Sequence, residues 1–317
     1  MSQLSGYHIM IVSKNFKTIR DFINLELVCK KFNGNMEKFH FNPIPLNSKT
    51  FRNFPNIETL HLWDVTDENF GNGFMINTEE NEDSENKGVL KRELYRIIVW
   101  FDVDFETVDK NNSRNIEFKN VTYTQNNREK YGNNIPSSVI SIGEECFYGC
   151  SSLTSVTIPL GVIYMNEFSF GNCINLSSIT IPLSVKSLGD QCFRQCSSLS
   201  SMIIPSSVTY IGDSCFSGCI NLSSVTIPSS VTSINYNCFS ECSSLNSVTI
   251  PSGVSLIEEY CFSWCDNLSS VIIPSSVTSI GNYCFIGCGN LSSVTIPLSM
   301  ISLGDRCFPS NTVVYRN

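Results

Sequence analysis

Cysteine is the residue type in this chain whose number and spacing could do chemistry. The sequence has fifteen cysteines, and all but Cys29 recur every 23 residues in its second half, in two columns with C-x-x-x-C spacing. Thiols in such numbers could bind zinc, form disulfides or act as nucleophiles. The first column contains Cys146, Cys192, Cys215, Cys238, Cys261, Cys284 and Cys307, and the second contains Cys150, Cys173, Cys196, Cys219, Cys242, Cys265 and Cys288.

The surrounding sequence argues against a metal or catalytic site. Structural zinc sites need convergent ligands, commonly C-x-x-C pairs combined with His or further Cys. The three histidines, His8, His40 and His61, all lie outside the repeated half. No nearby side chain supplies a base, and a nucleophile would not be copied fourteen times. We therefore predict no catalytic residue, no metal and no cofactor.

Two structural roles remain for the cysteines. Ser169 stands where the first column would have Cys, which indicates that the position requires a small side chain. A buried free Cys behaves as a small apolar residue, so the pattern favours buried thiol ladders. Disulfide bridges between adjacent coils are the alternative, since the coil spacing falls within the usual Cα separation. A reducing compartment would disfavour them.

Proline sets the period of a stacked repeat. Eight phased copies without insertions indicate a solenoid whose coils bury their apolar faces only against each other. The prolines are Pro136, Pro159, Pro182, Pro205, Pro228, Pro251, Pro274 and Pro297. Large apolar residues keep the same phase, as in the column Phe147, Phe170, Phe193, Phe216, Phe239, Phe262, Phe285 and Phe308. Columns of Leu, Val and Ile accompany them, which predicts continuous internal ladders.

Each 23-residue unit predicts three local elements. The segment L-x-x-V-x-I-P alternates inward and outward and predicts a short strand that ends at the proline. Gly or Asn follows the next Ile in seven of eight copies, which predicts a left-handed or tight turn. Glu258 is the exception, so we expect local strain or a shifted turn in its coil. The C-F-x-x-C segment predicts a single helical or 3₁₀ turn.

The repeat unit resembles the BspA-like leucine-rich repeat family over residues 135–317. The residues that carry the resemblance are the L-x-x-V-x-I-P strand, the I-G turn and the C-F-x-x-C turn; the family usually has Ala at the first Cys. The resemblance implies a leucine-rich-repeat solenoid with a short parallel β-strand ladder on the concave side and 3₁₀ or short helical turns on the convex side. It also implies a surface or interaction protein that binds macromolecules, as in bacteria and some parasitic protists.

The first 134 residues differ in texture and predict a cap for the solenoid. Residues 1–50 predict a helical cap, with apolar residues at helical spacing from Phe16 to Leu27 and Ser13 or Asn15 before them. The run 23–32 resembles an F-box helix that lacks the usual leading Leu-Pro. Residues 51–134 predict a degenerate leucine-rich coil at 54–62, an acidic loop at 77–88, and strand-like segments at 96–103 and 116–123.

Charge and hydropathy exclude some classes of partner. The formal net charge is -8, and the chain from residue 136 onward contains ten acidic and four basic residues. A nucleic-acid partner is therefore not expected. No stretch approaches the about 20 apolar residues of a membrane span. The N-terminus lacks a basic region followed by an apolar core, which predicts a cytoplasmic protein. The family resemblance keeps a cell-surface location open.

The candidate binding residues lie on the outward positions of the strand and in the turn. The outward strand positions give an uncharged Ser and Thr surface, which is either a soluble filler face or a broad ligand-binding face for protein or glycan. The candidate face consists of Ser178, Thr180, Ser201, Ser224, Thr226, Ser247, Thr249 and Ser270. The C-F-x-x-C turn varies between copies and supplies the candidate contact residues Arg194, Glu241 and Trp264.

The sequence thus predicts a non-enzymatic binding scaffold with a possible role in cell-surface adhesion or recognition. The alternative is an intracellular adaptor whose F-box-like N-terminus presents targets bound by the solenoid. An enzyme is the least supported class, because the repeated half lacks catalytic groups.

Overall fold

The computed structural model describes residues 13, 15–28, 32–74 and 93–317. The chain divides into two compact units, Met1–Val121 and Thr122–Asn317. The acidic loop expected at residues 77–88 lies outside the described residues, as do residues 29–31 of the F-box-like run, which include Cys29.

The first unit packs around a cluster of phenylalanines. Helix α1 (Ile19–Val28) buries Phe22, whose ring meets Phe39 and Phe54 edge-on at centroid distances of 5.7 and 5.3 Å. Two 3₁₀ turns, Met36–Lys38 and Phe51–Asn53, follow. Strand β1 (Thr59–Leu62) pairs in parallel with β2 (Arg96–Asp104), and helix α2 (Phe105–Lys110) comes next.

Helix α1 begins later than the apolar spacing suggests. The carboxylate of Asp21 accepts hydrogen bonds from the backbone N–H and the hydroxyl of Thr18, at 2.9 and 2.8 Å. The Asp21 carboxylate thus satisfies the backbone N–H that precedes the first turn, as the acidic residue of a capping box does. Phe16 therefore precedes the helix, which begins at Ile19. The strands expected at 96–103 and 116–123 are confirmed as β2 and β3 (Ile116–Tyr123).

The second unit is a parallel β-solenoid, which confirms the predicted fold class. Within this unit, helix α3 (Gln125–Tyr131) precedes the coils and starts with a capping box between Thr124 and Asn127. Each coil then contributes two short strands. The first of each coil are β4 (Ser141–Ile142), β6 (Tyr164–Met165), β8 (Ser187–Leu188), β10 (Tyr210–Ile211), β12 (Ser233–Ile234), β14 (Leu256–Ile257), β16 (Ser279–Ile280) and β18 (Ser302–Leu303). The second are β5 (Ser155–Thr157), β7 (Ser178–Thr180), β9 (Ser201–Ile203), β11 (Ser224–Thr226), β13 (Ser247–Thr249), β15 (Ser270–Ile272), β17 (Ser293–Ile296) and β19 (Val313–Arg316).

Strands pair in parallel with a register of one repeat, so that Ser155 pairs with Ser178 and Ser224 with Ser201. The predicted L-x-x-V-x-I-P strand is present as the second strand of every coil from β5 to β17. The first strand was not predicted, because two residues are too few to show alternation in a sequence. The second-strand ladder is not continuous: it is divided into β5-β7, β9-β11 and β13-β15-β17-β19.

The core of the solenoid is a stack of aromatic rings. The eight rings from Phe147 to Phe308 lie one above the other, with neighbouring centroids 4.9–5.6 Å apart and planes within 14°. Tyr123 stacks on Phe147 at 6.4 Å and begins the column. The ring spacing follows the distance between paired strands, so the stack and the strand ladders have the same repeat. The predicted apolar ladders are confirmed.

The turn after the first strand differs from the prediction. The Gly and Asn column at that turn does not have positive φ; left-handed residues occur two and six positions later, for example Glu145 and Gly149, at φ 53° and 66°. At Gly212 an added Cβ would lie 2.4 Å from the backbone nitrogen of Asp190. Close approach of consecutive coils, and not left-handed backbone, therefore favours glycine at Gly212. The close contacts are shared by Gly189, Gly281 and Gly304.

The shifted turn expected at Glu258 is not observed. Its backbone N–H donates to the carbonyl oxygen of Ile234 at 2.8 Å, just as Gly281 donates to Ile257 at 2.8 Å. Its φ is not positive. The coil of Glu258 therefore has the same turn as its neighbours.

Candidate binding surfaces

The solenoid cysteines are free thiols, and all are buried except the half-buried Cys150. The predicted burial is therefore confirmed. In the second column each Sγ from Cys173 to Cys288 donates to the carbonyl oxygen of a Phe in the preceding coil, as Cys173 does to Phe147 at 3.0 Å and Cys219 to Phe193 at 3.2 Å. In the first column Ser169 takes the place of Cys, and its Oγ lies 3.3 Å from the Sγ of Cys192.

This environment keeps the thiols protonated. Burial raises the pKa of Cys173 and of Cys219 to about 12, and the pKa of Cys215 is also raised, by burial first and then by its hydrogen bond with Cys192. A thiolate is the form that binds metals and attacks substrates. In the part of the chain that the structure describes, no group of three His, Cys, Asp or Glu could hold a metal ion. The ladders are packing elements.

The outward residues of the second strands, which are mostly Ser and Thr, form one surface, which we name the hydroxyl face. It comprises Ser155, Thr157, Ser178, Thr180, Ser201, Ile203, Ser224, Thr226, Ser247, Thr249, Ser270, Ile272, Ser293 and Thr295, all of them exposed. The side chains between them, such as Met202 and Val248, are buried. The structure therefore brings all eight residues of the candidate face together on one surface.

The hydroxyl face is not flat. Strand pairing is interrupted between β7 and β9, and a groove of about 380 Å³ lies at that position. We name it the β7–β9 groove; its lining includes Ser178, Thr180, Leu183, Ser201, Ile203 and Pro205. Ile203 and Leu183 are 76% and 72% exposed.

A second groove on the same face lies beside the C-terminal strands. Its lining includes Ser270, Ile272, Ser293, Thr295 and Pro297. Both grooves contain departures from the repeat, because Ile203 and Ile272 replace Thr of their column and Leu183 replaces Ser. Those departures were the available signal for the grooves in the sequence.

The three candidate residues of the C-F-x-x-C turn do not form one site. Glu241 and Trp264 occupy the same position in adjacent coils, and both are exposed. Arg194 lies two coils before Glu241 and bonds to the side-chain oxygen of Gln191 in its own turn. The turn therefore contains one pair of candidate residues, Glu241 with Trp264, and Arg194 separately.

His61 in the first unit belongs to an aromatic cluster. Its ring stacks on Phe41 at 5.3 Å, and the indole N–H of Trp100 donates to its Nδ1 at 3.2 Å. Burial lowers the pKa of His61, and Lys119 and Arg96 add to the effect. A neutral imidazole that accepts the Trp100 N–H is the form this packing favours.

No helix among the described residues is long and apolar enough to cross a membrane.

Comparison with curated protein sequences gives no match. A solved leucine-rich repeat protein from Bacteroides ovatus is 28% identical with a TM-score of 0.55, covering 63% of this chain and 56% of that protein. This chain thus spans little more than half of that protein's length. A leucine-rich repeat protein of T. pallidum is 31% identical with a TM-score of 0.47, covering 50% of this chain and 76% of that one.

The repeats themselves settle the family. The profile described as BspA type leucine rich repeat region matches in six copies, over residues 122–246 and 211–315. These spans include all eight prolines and the whole phenylalanine stack, and together they cover more than half of the chain. The chain belongs to the BspA-type leucine-rich repeat family.

Proposed function

We propose that this protein is a non-enzymatic recognition scaffold that binds a protein partner on its hydroxyl face, centred on the β7–β9 groove. The observation that carries the proposal is the pair Ile203 and Leu183. Both are exposed aliphatic side chains in columns where most copies have Thr or Ser; the other aliphatic members of these columns are Ile272, Leu160 and Leu298. Exposed apolar side chains beside a groove are typical of protein interaction sites.

A protein partner fits this surface better than a glycan. Aromatic rings are the side chains that offer broad faces for stacking, and no aromatic residue lines either groove of the hydroxyl face. The groove linings contain hydroxyls and aliphatic groups, which suit an uncharged apolar segment of a protein with hydrogen bonds at its edges. No charged residue lines the β7–β9 groove, so we expect binding to be nearly independent of salt.

Site-specific photo-crosslinking tests this proposal. A photoreactive amino acid placed at Thr180, inside the β7–β9 groove, is compared with one placed at Thr249, on the same face outside both grooves. The expected result is one protein captured from the native cells through position 180 and not through position 249. Equal capture at both positions, or capture at neither, would contradict the proposal.

A matched substitution sharpens the test. The double change Ile203→Thr with Leu183→Ser restores the repeat consensus, so it alters the groove with little risk to folding. We expect it to abolish capture through position 180. The same replacement at Ile272, Ile272→Thr, is the control and leaves that capture unchanged.

Location decides which partners are available. Fourteen cysteines that serve as packing groups on adjacent coils suit a reducing compartment, where disulfides are rare. We propose an intracellular site of recognition, and adhesion at the cell surface is the competing possibility. Labelling of intact cells with an impermeant amine reagent distinguishes them, since a labelled chain would establish the surface location.

The adaptor function is a second candidate, and helix α1 is the observation that favours it. Leu27 and Val28 are each 78% exposed and Ile23 is 40% exposed. Ile23 and Leu27 lie one turn apart on the same side of the helix. We expect a pull-down to recover a ligase scaffold that Ile23→Ser with Leu27→Ser no longer recovers. Recovery that is unaffected by the double change would eliminate the adaptor.

A further inference from the structure

Another groove lies outside the hydroxyl face. It crosses the C-F-x-x-C turns of three consecutive coils. Its lining consists of Ile220, Glu241, Ser243, Trp264 and Asp266. The indole of Trp264 is 56% exposed and Ile220 is 46% exposed, and both carboxylates are exposed. An aromatic surface therefore lies beside two negative charges.

The backbone explains why Trp264 is exposed. This position of the turn is left-handed in every coil from Gly149 to Gly287, and Trp264 has φ 58°. A bulky residue rarely adopts positive φ. Here the conformation is fixed by stacking, because the N–H of Trp264 donates to the carbonyl oxygen of Ile286 in the next coil at 2.7 Å. The side chain is therefore directed outward from the turn.

Gly287 holds the indole in place. A Cβ added at Gly287 would lie 2.7 and 2.8 Å from two ring carbons of Trp264, so the ring lies directly on the backbone of the following coil. The groove lies on the side of the preceding coil, where Glu241 occupies the position that matches Trp264. The following coil thus contacts the indole, and the preceding coil supplies Glu241 to the groove.

The charge of the groove is uncompensated. No basic residue lines it. In the described parts of the chain, neither Glu241 nor Asp266 forms an ion pair. Two carboxylates and an exposed tryptophan in one groove are complementary to a cation, which gains attraction from both the carboxylates and the ring.

We propose that the groove formed by Glu241, Trp264 and Asp266 binds an arginine side chain of a partner protein. Arginine fits better than lysine, because its flat guanidinium stacks on an indole while its N–H groups pair with carboxylates. The site uses none of the residues of the hydroxyl face. It is therefore independent of the proposed function and can stand or fail alone.

Indole NMR signals test the proposal with short peptides on the full chain. The sequence has three tryptophans, so three indole N–H signals are expected, and Trp264→Phe assigns the one in question. The probes are acetyl-Arg-Arg-amide, its lysine analogue and its neutral glutamine analogue. We expect the arginine peptide to shift the Trp264 signal to saturation, the lysine peptide to bind more weakly, and the glutamine peptide to cause no shift.

Variants connect that shift to the carboxylates. The double variant Glu241→Gln with Asp266→Asn should weaken arginine-peptide binding about tenfold, which corresponds to a loss of about 1.4 kcal/mol of binding free energy. The matched control, Glu144→Gln with Glu145→Gln, removes the same charge from a distant coil and should leave affinity within about twofold. Equal weakening by both variants, an unshifted Trp264 signal, or an equal response to the glutamine peptide would overturn the proposal. The Ile203→Thr variant should bind the arginine peptide normally, which separates this site from the hydroxyl face.

Discussion

The Sγ atom of Cys242 donates a hydrogen bond of 3.3 Å to the carbonyl oxygen of Phe216, 26 residues earlier in the chain. The same oxygen accepts the backbone N–H of Cys219 at 3.2 Å. A carbonyl oxygen has two lone pairs. The backbone N–H of Cys219 uses one lone pair of the Phe216 oxygen, and the thiol of Cys242 uses the other. The second cysteine column is therefore a ladder of hydrogen bonds as well as a ladder of small apolar groups.

Alkaline pH should unfold the solenoid through these thiols. Burial raises the pKa of Cys219 from 9.0 to about 12. Its contribution to the free energy of unfolding is therefore complete below pH 9 and is lost as pH rises toward 12. We expect urea unfolding to show stability that falls steeply over this window.

Cys219→Ser provides the check on the alkaline effect. Removing one such thiol should make the decline shallower by about 1.4 kcal/mol per pH unit. Cys150→Ser, at the half-buried position, should change the slope less. Identical slopes for Cys219→Ser and the parent chain would show that the buried thiols do not titrate on unfolding.

The phenylalanine stack should dominate stability. Phe216 is fully buried, with the Phe193 and Phe239 centroids 5.4 and 5.3 Å from its own. Phe216→Ala should lower the free energy of unfolding by about 3–5 kcal/mol, because it leaves a cavity in an interior that cannot collapse easily. Tyr148→Ala, at a half-exposed ring, is the control and should cost less than about 1 kcal/mol. Urea unfolding of both variants measures the difference.

Two kinds of glycine should respond differently to alanine. Gly149 has φ 66° and open space where a Cβ would be, so Gly149→Ala should cost only the left-handed conformation, about 1 kcal/mol. Gly212→Ala would place a Cβ 2.4 Å from the Asp190 nitrogen and force the coils apart, at a cost of about 1–3 kcal/mol or more. A larger loss at Gly149 than at Gly212, measured by urea unfolding, would contradict the assigned roles.

A column of carboxylates should make the solenoid more stable in mild acid. Burial raises the pKa of Glu167, and repulsion from Glu144 and Asp190 raises it further; burial and then Asp190 raise the pKa of Asp213. A carboxyl whose folded pKa is raised stabilises the fold below its ordinary pKa, and that contribution is lost as pH rises through the folded pKa. We therefore expect stability to increase as pH falls from 7 toward the ordinary carboxyl range.

Glu167→Gln tests this repulsion. The variant should melt at a higher temperature than the parent at pH 7, and the gap should close in mild acid. Glu241→Gln, in another column of the turn, is the control and should not raise the melting temperature. A Glu167→Gln variant less stable than the parent at pH 7 would mean that the carboxylates do not repel one another in the fold.

Most of the interior could be predicted from the sequence, because repetition within one chain directly reports which side chains stack. The phenylalanine stack, the buried thiols and the outward serines all follow from columns such as Phe147 to Phe308. The left-handed positions did not follow. Glu145 and Trp264 are poor residue types for positive φ, and hydrogen bonds to the next coil impose it, as from Trp264 to Ile286.

The candidate surfaces were predicted only in part. Strand alternation placed Ser178 and Thr180 on an exposed face, but the interruption between β7 and β9 depends on how coils stack and leaves no pattern in a single repeat. Ile203 and Leu183 were visible as departures from the consensus. That these two side chains line one groove could be recognised only from the structure. The pairing of Trp264 with Gly287 likewise joins two coils and has no signal in either one.

The affinity of the partner captured through position 180 tests the central claim most directly. The full chain, the double variant Ile203→Thr with Leu183→Ser, and the control Ile272→Thr are titrated against that partner by calorimetry. Removing two aliphatic side chains that the partner covers on binding should weaken binding by at least about tenfold, while the control stays within about threefold of the parent. Unchanged affinity for the double variant would contradict the claim that recognition is centred on the β7–β9 groove.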